Sequence, residues 1–242
     1  MSLLVKICGL KTAEALDAAL DAGADMVGFV FFPPSPRNIG IETARTLGVR
    51  ANGRAKKVAL SVDATDAELD RAVEALKPDM LQLHGKETPE RVSAVRARFH
   101  LPAMKALPIE TRADLSPVRL YAKVADWLLF DGRAPRDATR PGGLGKPFDW
   151  RLLEGVEPGV PFMLSGGLDA GNVAEALRIT RAPAVDVSSG VERAPGEKDP
   201  EKIRAFVRAA RGMTDSSPGE AKPAQDDRPR ARAPGSITDV TA

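Results

Sequence analysis

One thiol, a carboxyl group after an apolar run, an arginine among prolines, a histidine and two turns of small residues are where this chain can do chemistry. Cys8 is the single cysteine and closes the apolar run 3–8. A thiol of ordinary pKa, about 8.5, is a minority thiolate at neutral pH, so a cationic neighbour would be required to make it a base. Lys6 is the nearest basic residue in sequence, and residues two apart on a strand share a face. The competing reading is a small buried apolar Cys8 and a Lys6 held in a structural ion pair. Asp131 follows the run 127–130 and can serve as a general acid if burial raises its pKa, or as a cap on the following loop. Arg37 ends Pro33-Pro34-Ser35-Pro36; a guanidinium on a stiff loop suits a carboxylate, and an ordinary surface arginine fits the same position. His84, in Gln82-Leu83-His84-Gly85, either lines a pocket or is a satisfied structural histidine.

Two turns have the composition of anion sites. Ser165-Gly166-Gly167 and Ser188-Ser189-Gly190 each follow a short apolar run, and small residues let backbone N–H groups approach a phosphate. Ordinary tight turns use the same residues. Neither the histidines nor the carboxylates show metal-ligand spacing, and one cysteine excludes a zinc cluster of the usual thiolate kind.

The elements that must position these groups follow from periodicity. Runs 3–8, 26–31, 57–62, 80–83, 103–107, 127–130, 162–164 and 184–187 are nearly continuous in apolar character, as expected of parallel strands covered on both faces. Helical signals lie between them. Thr12 caps a stripe of Ala15, Leu16, Ala19 and Leu20, ended by Gly23. Thr65-Asp-Ala-Glu68 is a capping box ahead of Leu69, Ala72, Val73 and Leu76. Thr88-Pro89 and Asp199-Pro200 put proline at a first helical position. Asp169 is expected to cap a helix carrying Val173, Ala176 and Leu177.

Two connections are irregular. Residues 112–124 are helix-compatible but broken by Pro117, and 133–145 reads as a long loop before a short candidate at 148–153. The pattern predicts an α/β fold, a (β/α)8 TIM barrel of eight parallel strands in a single domain over residues 1–212. The alternative is a doubly wound open sheet, whose Gly-x-Gly-x-x-Gly is missing after the first run. Residues 213–242 carry few large apolar side chains and are expected to form a disordered tail.

Composition narrows the class. Hydrophobic residues are 43% of the chain and aromatics 5%, so aliphatic side chains must fill the core. A net charge of +2 with scattered Lys and Arg gives no footprint for nucleic acid. No apolar run approaches the roughly 20 residues of a membrane helix, and no signal peptide is visible, so a cytoplasmic protein with no membrane partner is expected. The surface pattern suggests a monomer or weak homo-oligomer.

Seven stretches together resemble the phosphoribosylanthranilate isomerase family. They are Lys6-Ile-Cys-Gly-Leu10, Gly28-Phe-Val-Phe-Phe-Pro-Pro-Ser-Pro-Arg37, Leu81-Gln-Leu-His-Gly85, Leu129-Phe-Asp131, Gly142-Gly-Leu-Gly-Lys-Pro-Phe-Asp-Trp150, Leu164-Ser-Gly-Gly-Leu168 and Val185-Asp-Val-Ser-Ser-Gly-Val-Glu192. They occur in the family's order across about residues 3–211. The resemblance implies an Amadori rearrangement in tryptophan biosynthesis, acting on a phosphorylated small molecule without metal, redox or covalent cofactor. It implies Cys8 as general base and Asp131 as general acid. Arg37 would hold the anthranilate carboxylate, and Gly166, Gly167, Ser188, Ser189 and Gly190 the phosphate. His84 would line the pocket, and Asp186 would lie near the sugar. Three positions depart from the family pattern: Ser61-Val62-Asp63, Gly132 after Asp131, and Leu144. Competing readings are another phosphosugar barrel isomerase or synthase, and a barrel that binds a phosphorylated ligand without catalysis.

Overall fold

The computed structural model describes residues 2–133 and 147–212. Eight parallel strands close into a barrel: β1 (Leu4–Cys8), β2 (Met26–Phe31), β3 (Lys56–Ser61), β4 (Met80–Leu83), β5 (Ala103–Ile109), β6 (Trp127–Gly132), β7 (Phe162–Leu164) and β8 (Ala184–Val187). Closure is made by β1 beside β8, with Lys6 opposite Asp186. Helices α1 (Ala13–Asp21), α2 (Ile41–Ala51), α3 (Asp66–Leu76), α4 (Pro89–Phe99), α6 (Val173–Thr180) and α7 (Pro200–Gly212) cover the outside. The tail expected over 213–242, and the part of the expected loop from 134 to 145 with Leu144 in it, lie outside the described residues.

Local chemistry sets most boundaries. The Thr12 hydroxyl accepts from Ala15 N, Thr65 and Glu68 form the capping box, and Thr88 caps α4 with Pro89 at its start. Asp169 behaves differently from expectation. Its carboxylate accepts from Gly171 N and Asn172 N, closing a turn ahead of α6, and Asn172 occupies the cap position. Asp is as well suited to a turn as to a cap, since both offer free N–H groups to its short side chain.

The irregular connections are short helical turns. Between β5 and β6 a 3-10 turn (Arg112–Leu115) precedes the one-turn α5 (Val118–Tyr121), with Pro117, which lacks an N–H, standing at the break. After β6 the described residues hold a 3-10 turn, Trp150–Leu153.

Strands β5 and β6 each run two residues further than their apolar runs. Pro108 pairs with Asp131 and Ile109 with Gly132, so Asp131 is carried by the strand itself and inherits its rigidity.

The barrel interior is filled in layers. The lower one comprises Met26, Val58, Met80, Met104, Ala106, Leu129, Met163 and Ala184. Four methionines thus do much of the filling that few aromatics leave undone; an unbranched thioether fits irregular gaps. Above this layer stand Cys8, Val30 and Leu60, at the C-terminal ends of the strands. Among the described residues no helix is long and apolar enough to cross a membrane.

Candidate active site

Lys6 and Cys8 point into the barrel from β1. Lys6 is fully buried, and its Nζ lies 2.8 Å from Asp186 Oδ1 on β8. Burial alone would lower its pKa, but Asp186 and Cys8 outweigh that and raise it, so Lys6 is an ammonium. Cys8 is 3% exposed. Burial pushes its thiol up from the ordinary value; Lys6 and Lys198 pull it down, and Asp186 adds to the rise. The cation that sequence reasoning required is present, yet desolvation wins. Space for this cluster is made by Gly28 of β2, which pairs with Cys8. A Cβ on Gly28 would stand 2.8 Å from Cys8 Sγ and 3.1 Å from Lys6 Nζ.

Asp131 is 5% exposed and is flanked on both sides. Its Oδ2 lies 3.2 Å from Nε2 of His84, whose Nδ1 is 3.0 Å from Nε2 of Gln82. On the other side is Gly166, where a Cβ would be 3.1 Å from Asp131 Oδ1 and would overlap Gly132 N. Gly132, where the family pattern has a hydroxyl residue, therefore packs directly under the β7 turn.

The two small-residue turns meet one another. Gly166 and Gly167 have φ of +88° and +68°, the left-handed region that favours glycine. Ser165 Oγ reaches Asp186 Oδ2 at 3.3 Å, tying the β7 turn to the Lys6 pair. Ser188 Oγ donates to the Cys8 carbonyl at 3.1 Å, and Lys198 Nζ donates to the Ser188 carbonyl at 2.8 Å. Ser189 and Gly190 lie in a 3-10 turn, Ser189–Val191, and a Cβ on Gly190 would overlap the Leu168 carbonyl. Gly190→Ala is therefore expected to push the two turns apart. Overpacking of this kind costs about 1–3 kcal/mol, so a lowered Tm, read by calorimetry, is the expected outcome.

Arg37 is buried, and its guanidinium meets Glu192 in two prongs, Nε to Oε1 at 2.7 Å and Nη2 to Oε2 at 2.8 Å. Its Cδ lies over Gly9, where a Cβ would stand 2.6 Å away, so it sits beside the residue that follows Cys8. Glu192 begins β9 (Glu192–Ala194), which pairs antiparallel with β10 (Glu197–Lys198) in a small hairpin after β8. Lys198 Nζ also reaches Glu192 Oε1 at 2.8 Å. Burial would lift the Glu192 carboxyl, but Arg37 and Lys198 hold it below the ordinary range. Burial pulls Lys198 down to about 8, against the opposing pull of Glu192.

Contacts run from Cys8 through Lys6 and Asp186 to Ser165; the next residue, Gly166, stands where a Cβ would come within 3.1 Å of Asp131 Oδ1, and Asp131 meets His84. Arg37 joins at Gly9. Sequence reasoning missed Gly28, Gln82, Glu192 and Lys198 as parts of this lining. Gly28, Gln82 and Glu192 lie inside stretches that carried the resemblance. Nothing in the local pattern around Lys198 marked it.

Known proteins of the same shape and sequence are numerous. The family model described as N-(5′-phosphoribosyl)anthranilate (PRA) isomerase matches residues 5–209. The chain is 65% identical over 217 residues to an N-(5′-phosphoribosyl)anthranilate isomerase of Bradyrhizobium diazoefficiens, covering 90% of this chain and 97% of that one. Among solved structures it is similar to the phosphoribosyl anthranilate isomerase of Thermotoga maritima, with a TM-score of 0.79, 34% identity, and 87% of this chain and 99% of that one covered. A further structure, at TM-score 0.74 and 32% identity with the same coverage, is a phosphoribosyl anthranilate isomerase in complex with reduced 1-(o-carboxyphenylamino)-1-deoxyribulose 5-phosphate.

Proposed function

The chain belongs to the N-(5′-phosphoribosyl)anthranilate isomerase family, and from that premise we propose that Cys8 and Asp131 are the base and acid of its reaction. The activity is the Amadori rearrangement of N-(5′-phosphoribosyl)anthranilate to 1-(2-carboxyphenylamino)-1-deoxyribulose 5-phosphate, in tryptophan biosynthesis. The observation that supports the assignment of roles is that the thiol, linked through Lys6 and Asp186 to Ser165, and the carboxyl group, beside Gly166, stand at one barrel mouth.

Asp131 gives a proton to the ring oxygen; the bond from that oxygen to C1 breaks and leaves an iminium. The positive nitrogen acidifies the proton on C2, which a Cys8 thiolate removes to give an enolamine. C1 then gains a proton and the C2 hydroxyl loses one, giving the ketone and returning acid and base to their starting forms. Each transfer by a positioned side chain is worth about 10²–10⁴-fold.

Lys6 supports the negative thiolate from within the barrel, and Asp186 holds Lys6 while facing the sugar. The backbone N–H groups at Gly166, Gly167, Ser189 and Gly190, with the Ser188 turn, grip the phosphate. Arg37 holds the anthranilate carboxylate with Glu192 as its anchor, and His84 lines the mouth. The protein is proposed to act in the cytoplasm as a monomer or weak homo-oligomer.

Loss of substrate fluorescence on adding purified protein tests the activity. Arg37→Lys separates binding from chemistry. A lysine cannot span Glu192 and a substrate carboxylate with a planar fork, so KM is expected to rise about tenfold or more while kcat changes little.

A further inference from the structure

We propose that His84 is a positioning residue that acts through Asp131, with Gln82 deciding which ring nitrogen carries the proton; this rests on the reading of Asp131 as the acid. Gln82 and His84 lie two residues apart on β4 and its end, and both turn into the barrel. An amide nitrogen only donates, so Gln82 Nε2, at 3.0 Å, makes His84 Nδ1 an acceptor. In the proposed tautomer the ring proton sits on Nε2, 3.2 Å from Asp131 Oδ2. His84 is thereby a fixed donor to the carboxyl group.

Two otherwise unexplained features serve this arrangement. Gln82 Oε1 is buried and has no hydrogen-bond partner among the described residues. A buried amide oxygen left unpaired is a cost, kept here in exchange for the orientation of the other end of the amide. Outside the barrel, the buried Lys105 donates to the Leu83 and Gly85 carbonyls at 3.3 and 2.7 Å, the two that flank His84. Its partner Glu87, 2.8 Å away, accepts from Gly85 N, and His84 N donates to the Ser61 carbonyl at 2.9 Å. This ion pair touches none of the groups assigned to the reaction. Its effect is to clamp the backbone on both sides of the imidazole.

The consequence is chemical. When Asp131 gives up its proton it becomes a carboxylate, and a hydrogen bond to a charged acceptor is about twice as strong as to a neutral one. The His84 donor therefore stabilises the carboxyl group most after the transfer, which favours ring opening without adding to ground-state binding.

The chain has two histidines, His84 and His100, so a proton–nitrogen correlation spectrum of the 15N-labelled full chain reads the tautomer directly. The expected result is an Nε2–H form at His84 in the natural protein and loss of that preference in Gln82→Met. In His84→Gln and in Gln82→Met, kcat is expected to fall by about tenfold or more with KM within about twofold. Circular dichroism confirms that each variant is folded. An Nδ1–H form in the natural protein, unchanged kcat in folded variants, or a rise in KM in place of the fall in kcat would overturn the proposal. Active Asp131→Asn would instead remove the acid reading, and the tautomer measurement distinguishes the two failures.

Discussion

Cys8→Ala is expected to lower kcat by at least about 10²-fold while the protein folds normally. On the proposed reading the thiol takes the C2 proton, and alanine keeps the packing against Val30 and Leu60 with little change in volume. The pH profile supplies the sharper test. Burial raises the thiol above its ordinary pKa, so at neutral pH the base is mostly protonated. Activity should therefore rise with pH on the alkaline side of neutrality, about tenfold per unit at the steepest. Lys198 titrates at about 8. Above that pH it loses the charge that favours the thiolate, and the two groups titrate as a coupled pair, so the rise becomes shallower. Steady-state kinetics across pH 6–10 checks this. Near-normal activity of a folded Cys8→Ala, or a rate independent of pH over that range, removes Cys8 from the role of base.

Asp131→Asn carries the second large effect, a loss of at least about 10²-fold in kcat with KM nearly unchanged. The substitution is close to isosteric. An asparagine amide can still hydrogen-bond His84 Nε2 and still fits beside Gly166, so position is kept and the transferable proton is lost. Because Asp131 is buried on a paired strand, the variant should unfold at a similar temperature. Single-turnover kinetics isolates ring opening. A normal rate in that step would transfer the role of acid to another group.

How much of this was legible beforehand differs by element. The strands were, within two residues, because strands buried on both faces must be apolar along their length, and that requirement acts residue by residue. The capping box at Thr65 and the proline-led starts of α4 and α7 were legible because their hydrogen bonds close within one turn. The connection around Pro117 was seen as an interruption, but its division into a 3-10 turn and one turn of α-helix was not, since packing on the barrel sets that balance. Asp169 fits both a cap and a turn, and the backbone N–H groups at Gly171 and Asn172 selected the turn.

Cys8, Asp131, Arg37 and His84 were candidates by their place after apolar runs, and the resemblance supplied the roles proposed for them. Their partners could not be read that way. Arg37 meets a glutamate 155 positions away, and Lys6 meets an aspartate 180 positions away. Closing the barrel through β1 and β8 is what brings these groups together. Whether Cys8 titrates above or below its ordinary value depends on a balance of burial against two ammonium groups and one carboxylate. That balance is a property of the enclosed space at the barrel mouth.

The amino-acid order by itself determined the alternation of strands and helices and the strand ends at which reactive side chains stand, because those follow from near-neighbour periodicity and capping. Tertiary structure alone decided which charges face the thiol, that His84 faces Asp131, and that Arg37 is anchored by a hairpin after the last strand. Electrostatic and hydrogen-bonding partners are set by distance in space, and chain closure makes distant residues near.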